Sequence, residues 1–221
     1  SRVAVACRRT SGSLSQDQVA FPGDNRSMPP SPAQDVAVVV LCGGTSARMG
    51  GRDKTRELVG SVSVLELLLN ALPDDWAVCC VGEPRPTDRP VLWTRERPAG
   101  GGPVAGIDAG LRALASYGGH DRPESAVTVV LAGDQPFAGA VAAALVNALN
   151  ASRAEAVAAE AGDGRPQLLL AAYRTQRLRQ ALARGPVTGA GVYATLGSLR
   201  VVALPLEPAD LVDVDTPAAL E

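Results

Sequence analysis

The chain has 221 residues, a formal net charge of −2 and only 3% aromatic residues, so it suits one α/β domain with a core of small aliphatic side chains. The near-neutral balance excludes a nucleic-acid surface driven by phosphate neutralisation, and no stretch approaches the roughly 18 to 20 consecutive apolar residues of a membrane-spanning helix. Cys7, Cys42, Cys79 and Cys80 show neither metal-ligand spacing nor the density of a secreted disulfide scaffold, and are expected to be small core residues in a reducing cytoplasm.

Residues 1–34 mix Ser, Arg, Gln, Gly and Pro without a sustained apolar period. They are expected to form a disordered or loosely packed tail ahead of a single domain over 35–221. The tail has no hydrophobic region of signal-peptide length. Met28, just before the first apolar run, is the expected natural start, with the residues upstream as an extension.

Residues 37–41 are apolar and β-branched with no polar alternation, the pattern of a central parallel strand covered on both faces. The strand opens into a long loop of small residues. Gly43, Gly44, Gly50 and Gly51 allow backbone amides to approach phosphate oxygens without an intervening Cβ, and Arg48 and Lys54 add fixed charge. Lys54 is the only lysine in the chain. Where arginine would serve, this sequence already uses it, so a compact ammonium is expected at 54, able to follow a phosphate whose geometry changes. Open α/β sheets bind ligands beyond the carboxyl ends of their strands, and the segment reads as a nucleoside triphosphate site. It is not a Walker loop, because Asp53 precedes Lys54-Thr55 where glycine is needed. Nor does Gly43-Gly44-Thr45-Ser46 give a dinucleotide fingerprint. The plainer alternative is a glycine-rich surface turn, which Arg48 and Lys54 in the same loop disfavour.

Downstream, an extended or hairpin connection over 56–64 leads to a helix over 64–72, ended by Pro73. A strand over 76–81 places Cys79 and Cys80 on opposite faces. The loop that begins at Gly82 then lies on the rim of the first loop if the strands are parallel. A short strand over 91–94 precedes Glu96 and the run Gly100-Gly101-Gly102-Pro103-Val104-Ala105-Gly106, a flexible turn and the amino terminus of a helix reaching residue 117, whose free amides can meet an anion or a base edge. His120, the single histidine, falls in a polar turn, which argues against a histidine-based triad.

A fourth strand over 126–131 ends at Gly133-Asp134-Gln135-Pro136-Phe137. At this position Asp134 is either the cap of a helix over 139–150 or a metal ligand, and the phosphate loop on the same rim favours the metal. Strands over 156–160 and 167–173 flank the turn Gly162-Asp163-Gly164. Arg165, Gln167, Tyr173 and Arg174 are candidates for meeting an anionic acceptor, although solvated sheet edges carry the same residues. Helices over 176–183 and 192–196 and a strand over 200–204 follow. Near the end, Asp213 and Asp215 point the same way in an extended segment and could face one cation. Asp215 and Thr216 could equally cap a final turn begun by Pro217.

Leu41-Cys42-Gly43-Gly44-Thr45-Ser46-Ala47-Arg48-Met49-Gly50-Gly51-Arg52-Asp53-Lys54 resembles the nucleotidyltransferase signature Leu-Ala-Gly-Gly-x-x-x-Arg-Met-Gly-x-x-Lys, in the longer Gly-Gly-x-Asp-Lys form of the molybdenum cofactor guanylyltransferases. Gly102-Pro103-Val104-Ala105-Gly106 is similar to that family's Gly-Pro-Leu-Ala-Gly, with Glu96 as the nearest match to its preceding acidic residue. The related cytidylyltransferases tend to have Gly-Met-x-x-Ser there. The resemblance spans about 36–220 and implies a three-layer, Rossmann-like α/β fold with a mostly parallel sheet, helices on both faces and a small antiparallel hairpin. It implies GTP as donor, molybdopterin or its molybdenum-loaded form as acceptor, and other cofactor-biosynthesis proteins as possible partners. It further implies Mg²⁺ on Asp134 and Asp215, with Arg48, Lys54 and Asp134 catalytic. Leu41, Cys42, Gly43, Gly44, Lys54, Gly82, Glu96, Gly102, Pro103 and Asp134 would bind nucleotide. Two departures bear on base choice: no asparagine follows the second main strand, and Asp215 stands where many guanylyltransferases have Asn, a trait shared with the cytidylyl relatives. The alternatives are therefore CTP on molybdopterin, an NTP on a sugar or small-acid phosphate, or a nucleotide-binding regulator without turnover.

Overall fold

A computed structural model describes residues 36–43, 54–118, 126–160 and 164–206, with the side chains of residues 54 and 118 excepted. Nine strands and five helices are described: β1 Val36–Leu41, β2 Leu58–Val59, β3 Val62–Ser63, α1 Val64–Asn70, β4 Ala77–Val81, β5 Leu92–Thr94, α2 Pro103–Gly118, β6 Val127–Ala132, α3 Ala138–Asn150, β7 Ala156–Glu160, β8 Pro166–Arg174, α4 Thr175–Leu182, α5 Val192–Leu196 and β9 Val201–Pro205. A single 3-10 turn, Lys54–Arg56, precedes β2.

Seven strands form one sheet in the order β5-β4-β1-β6-β8-β7-β9, while β2 and β3 pair as a separate small hairpin. All strands of the main sheet run the same way except β8, which is antiparallel to both β6 and β7. The expected mostly parallel α/β sheet is therefore present. The expected antiparallel pair of strands over 156–160 and 167–173 is present too, as β7 and β8, but as an integral part of the sheet. From β1 the chain first builds outward through β4 and β5, then returns to place β6 on the other side. This reversal opens a crevice beyond the carboxyl ends of β1 and β6.

The unbroken apolar run of β1 is explained by what covers it. Val36, Val38 and Val40 pack on one face with Leu65, Leu68 and Leu69 of α1 and Val141, Leu145 and Leu149 of α3. Ala37 and Val39 lie on the other face with Ala113 and Leu114 of α2, and a neighbouring cluster joins Ile107 and Leu111 of α2 to Leu178 of α4 and Leu196 of α5. Cys80 belongs to the first face and Cys79 to the second, as strand alternation requires. Both thiols are fully buried, and burial pushes them well above the ordinary range, which leaves them inert.

With so few aromatics, close approach of backbone replaces bulk. A Cβ at Gly110 of α2 would sit 2.7 Å from Val39 Cγ1, and one at Gly106 would sit 2.9 Å from Leu41 Cδ2, so two glycines one turn apart bring α2 down onto β1. At Gly139 an added Cβ would collide with the Leu68 carbonyl oxygen, where α3 crosses α1. Helix ends are secured by side chains: Ser63 Oγ accepts the Glu66 N–H at the start of α1 (3.2 Å). Past the end of α1, Arg89 donates to the carbonyls of Leu69, Leu72, Pro73 and Trp76. A cation there also complements the helix dipole.

Gly139→Ala tests this packing. In an exposed helix interior the exchange stabilises by about 1 kcal/mol. Here urea unfolding is expected to show a loss of about 2 kcal/mol or more, because neither backbone can yield.

Candidate active site

The crevice floor is made by strand ends that continue their ladder into the loops. Cys42 N–H donates to the Val81 carbonyl (2.8 Å), Gly133 N–H to the Leu41 carbonyl (2.9 Å), and Gly82 N–H to the Thr94 carbonyl (2.9 Å). The backbones approach so closely that a Cβ at Gly82 would lie 3.1 Å from the Cys42 carbonyl carbon, and one at Gly133 would lie 2.9 Å from the Leu41 oxygen. Leu41, Cys42 and Gly82 thus shape the floor, with the amides of Cys42 and Gly82 engaged in the ladder. Gly43 leads out of it. Sequence reasoning did not single out Gly133, whose need for hydrogen at Cα is set by a strand distant in sequence.

Asp134 leaves the floor one residue after Gly133 and is half-buried. The capping alternative does not hold: the N-cap of α3 is Phe137, with no side-chain bond. Next to Asp134, Gln135 is buried and its Nε2 donates to Gln167 Oε1 across to β8 (3.2 Å). On the other side of β1, α2 begins at the same rim with Pro103 as its first residue, preceded by Gly102 at φ 89°. Glu96 Oε1 accepts the Gly100 N–H (2.9 Å), so this carboxylate shapes the triple-glycine turn that presents the helix end. The first amides of such a helix point outward along its axis.

The acceptor-side candidates divide according to strand direction. Leu131 of β6 pairs with Leu170 of β8, and Val127 with Arg174, so only the beginning of β8 reaches Asp134. Gln167 and the exposed Arg165 lie at that end. Tyr173 and Arg174 lie at the opposite rim, and neither is available to an acceptor. Tyr173 is fully buried, and its hydroxyl donates to the Leu168 carbonyl (2.6 Å). The register shift between Ala158 and Ala159 of β7 leaves residues 168–170 of β8 without partners on β7, and the tyrosine bonds within that stretch. Burial raises its hydroxyl pKa well above the ordinary value. The Arg174 guanidinium closes the end of α3 through the carbonyls of Leu149, Ser152 and Ala154.

Of the remaining candidates, Gly44, Arg48 and Asp215 lie outside the described residues, as does His120, and Lys54 is described by its backbone alone. Among the described residues no group of three or more His, Cys, Asp or Glu could hold a metal ion. Asp134 is the carboxylate that the structure brings to the crevice from the expected metal pair. Burial raises the Glu66 carboxyl above its ordinary value, opposed by the Asp88 N–H that it accepts and more weakly by Arg85.

A mostly parallel sheet that brings Gly43, Asp134 and the amino terminus of α2 to one rim is the architecture of a nucleotidyltransferase. The chain belongs to the family described as the MobA-like NTP transferase domain, matched over residues 38–201. It is 31% identical over 199 residues to the molybdenum cofactor guanylyltransferase of Rhodopseudomonas palustris (strain HaA2), across 84% of this chain and 87% of that relative. Among solved structures, it is similar to molybdopterin-guanine dinucleotide biosynthesis protein A of Archaeoglobus fulgidus, with a TM-score of 0.56 and 23% identity over 83% of this chain and 94% of the other. The 2-C-methyl-D-erythritol 4-phosphate cytidylyltransferase of Francisella tularensis gives a TM-score of 0.60 at 11% identity over 84% and 96% of the two chains. At these identities the two structures share the fold. No helix among the described residues is long and apolar enough to cross a membrane.

Tyr173→Phe separates the structural role from an acceptor role. Loss of the buried hydroxyl bond is expected to reduce stability by about 1 kcal/mol and to leave the KM for the acceptor unchanged. A raised acceptor KM at unchanged stability would restore Tyr173 to the site.

Proposed function

We propose that the chain transfers GMP from GTP to molybdopterin, or to its molybdenum-loaded form, with release of pyrophosphate, in a Mg²⁺-dependent reaction in the cytoplasm. The observation that carries this reading is the bond from Gly133 N–H to the Leu41 carbonyl. It fixes Asp134 beside the start of the glycine loop at the sheet's reversal point, in a chain that belongs to the MobA-like family. The relative named molybdenum cofactor guanylyltransferase supports the donor and the acceptor. GTP over CTP is supported by Gly102-Pro103-Val104-Ala105-Gly106, which forms the amino terminus of α2 at this rim.

An acceptor phosphate is already anionic, so its oxygen can attack the α-phosphorus without a protein base, while the bond to the pyrophosphate oxygen breaks. The protein's tasks are to align two polyanions that repel each other and to stabilise charge on the leaving group. Arg48, Lys54 and the loop amides would hold the β- and γ-phosphates as they depart. Gln167 and Arg165, at the Asp134 end of β8, would face the acceptor.

Asp134 fits the expected cation. Mg²⁺ prefers hard oxygen ligands and is commonly held by one or two carboxylates plus substrate phosphates, and a half-buried aspartate on a phosphate-facing rim supplies such a donor. Asp134 would hold it together with Asp215. When bound, Mg²⁺ would neutralise charge on the phosphate oxygens.

Pyrophosphate release measured with GTP, CTP, ATP and UTP and purified molybdopterin tests the reading. Release with GTP alone is expected, and Lys54→Ala should slow it by about a hundredfold or more. Release with CTP would assign the chain to the cytidylyl branch. Saturable GTP binding without release would favour a different acceptor or a regulator.

Chelation by EDTA is expected to stop turnover and excess Mg²⁺ to restore it. Asp134→Asn should raise the Mg²⁺ concentration that is needed. Turnover in EDTA equal to that in Mg²⁺ would remove the cation from the reaction.

A further inference from the structure

We propose that Arg85 is a positioning residue for the phosphate side of the site, resting on the reading just given. Through Thr55 it locks the turn that carries Lys54 against the backbone that carries Asp134. The three contacts are independent in origin. The Arg85 guanidinium donates to Thr55 Oγ1. Its Cζ lies 5.5 Å from the centroid of the Trp93 ring, on a fully buried side chain of β5. Thr55, next to Lys54 in the 3-10 turn, is itself buried, and its Cγ2 would come within 3.1 Å of a Cβ at Gly133.

The turn is only three residues long and follows a long glycine-rich loop. A structure that short has little internal rigidity, so its position must come from what it touches. Gly133, just past the end of β6, lies so close that a Cβ there would crowd Thr55, and Arg85 reaches the turn from the loop after β4. The guanidinium also lies over the face of the Trp93 ring, a cation–π contact, and arginine's planar fork of donors can reach Thr55 from that position in a way that lysine's compact ammonium does not match. Arg85 therefore sets where Lys54 starts relative to Asp134, without itself having to touch substrate.

Calorimetric affinities for pyrophosphate, GTP and GMP, with thermal midpoints recorded alongside, test this in the full chain. Lys54→Ala is the reference and should weaken pyrophosphate and GTP but spare GMP. Arg85→Met and Thr55→Val are each expected to weaken pyrophosphate and GTP by about tenfold, in the range of a hydrogen bond to a charged group, with GMP unchanged. Because both variants break the Arg85–Thr55 bond, through which the Trp93 contact also acts on the turn, the double variant should be no weaker than Arg85→Met alone. Arg85→Lys should not restore affinity, whereas Thr55→Ser, which keeps the hydroxyl, should stay near wild type. Equal losses for all three ligands would indicate general destabilisation and overturn the proposal, as would additive effects or a wild-type-like Arg85→Lys. Should Lys54→Ala weaken pyrophosphate while Arg85→Met does not, the positioning role alone fails. Should Lys54→Ala spare pyrophosphate, the phosphate site fails and the positioning role with it.

Discussion

The carboxyl end of β1 is held from both sides by backbone hydrogen bonds, and the rest of the site depends on that clamp. Cys42 donates to Val81 on one flank and Leu41 accepts from Gly133 on the other. Both bonds lie just past the regular strand pairing, where a loop would otherwise begin to wander. They make the glycine loop and the Asp134 turn leave the sheet from fixed, adjacent points. A reaction that depends on alignment more than on proton transfer needs its groups fixed before substrate arrives. Here the fixing is done by main-chain atoms, which no side-chain rotation can relax.

The same economy of bulk runs through the core. A chain with 3% aromatic residues cannot fill interlayer space with rings, so layers approach until backbone meets side chain. Gly106 and Gly110 lower α2 onto β1, and Gly139 lets α3 cross α1. The seating of α2 also determines where Gly102 and Pro103 stand at the rim. Arginines take up the polar groups that this packing leaves at helix ends: Arg89 closes α1 and Arg174 closes α3. Arg174 is the one of the two that the sequence offered as an acceptor-facing cation.

Much of this was legible in the sequence. The apolar run of β1 is buried on both faces as its lack of alternation demands, and Asp134 stands at the crevice as its place after a buried strand predicts. Cys79 and Cys80 divide between faces by simple alternation. What could not be read depends on partners distant in sequence. The tyrosine of β8 looked like an acceptor contact, yet β8 runs against its neighbours, so its first residues, not its last, reach the site; Gln167 is there and Tyr173 is not. Strand direction was the missing information, although reading 156–160 and 167–173 as a hairpin already implied the reversal. The close approaches at Gly110, Gly133 and Gly139 leave no local signal either, since each is set by an atom on another element. Arg85 was seen only as part of a loop, because its meaning lies in Thr55 and Trp93.

The central claim is that a nucleotidyl group, not a phosphoryl group, crosses this rim. Incubating the protein with molybdopterin and GTP labelled at either the α- or the γ-phosphate, then separating the products, tests it directly. Label from the α-position should appear in the acceptor product and label from the γ-position in pyrophosphate. Transfer of γ-label to the acceptor, or recovery of all label in GTP under conditions where the nucleotide is bound, would contradict the account.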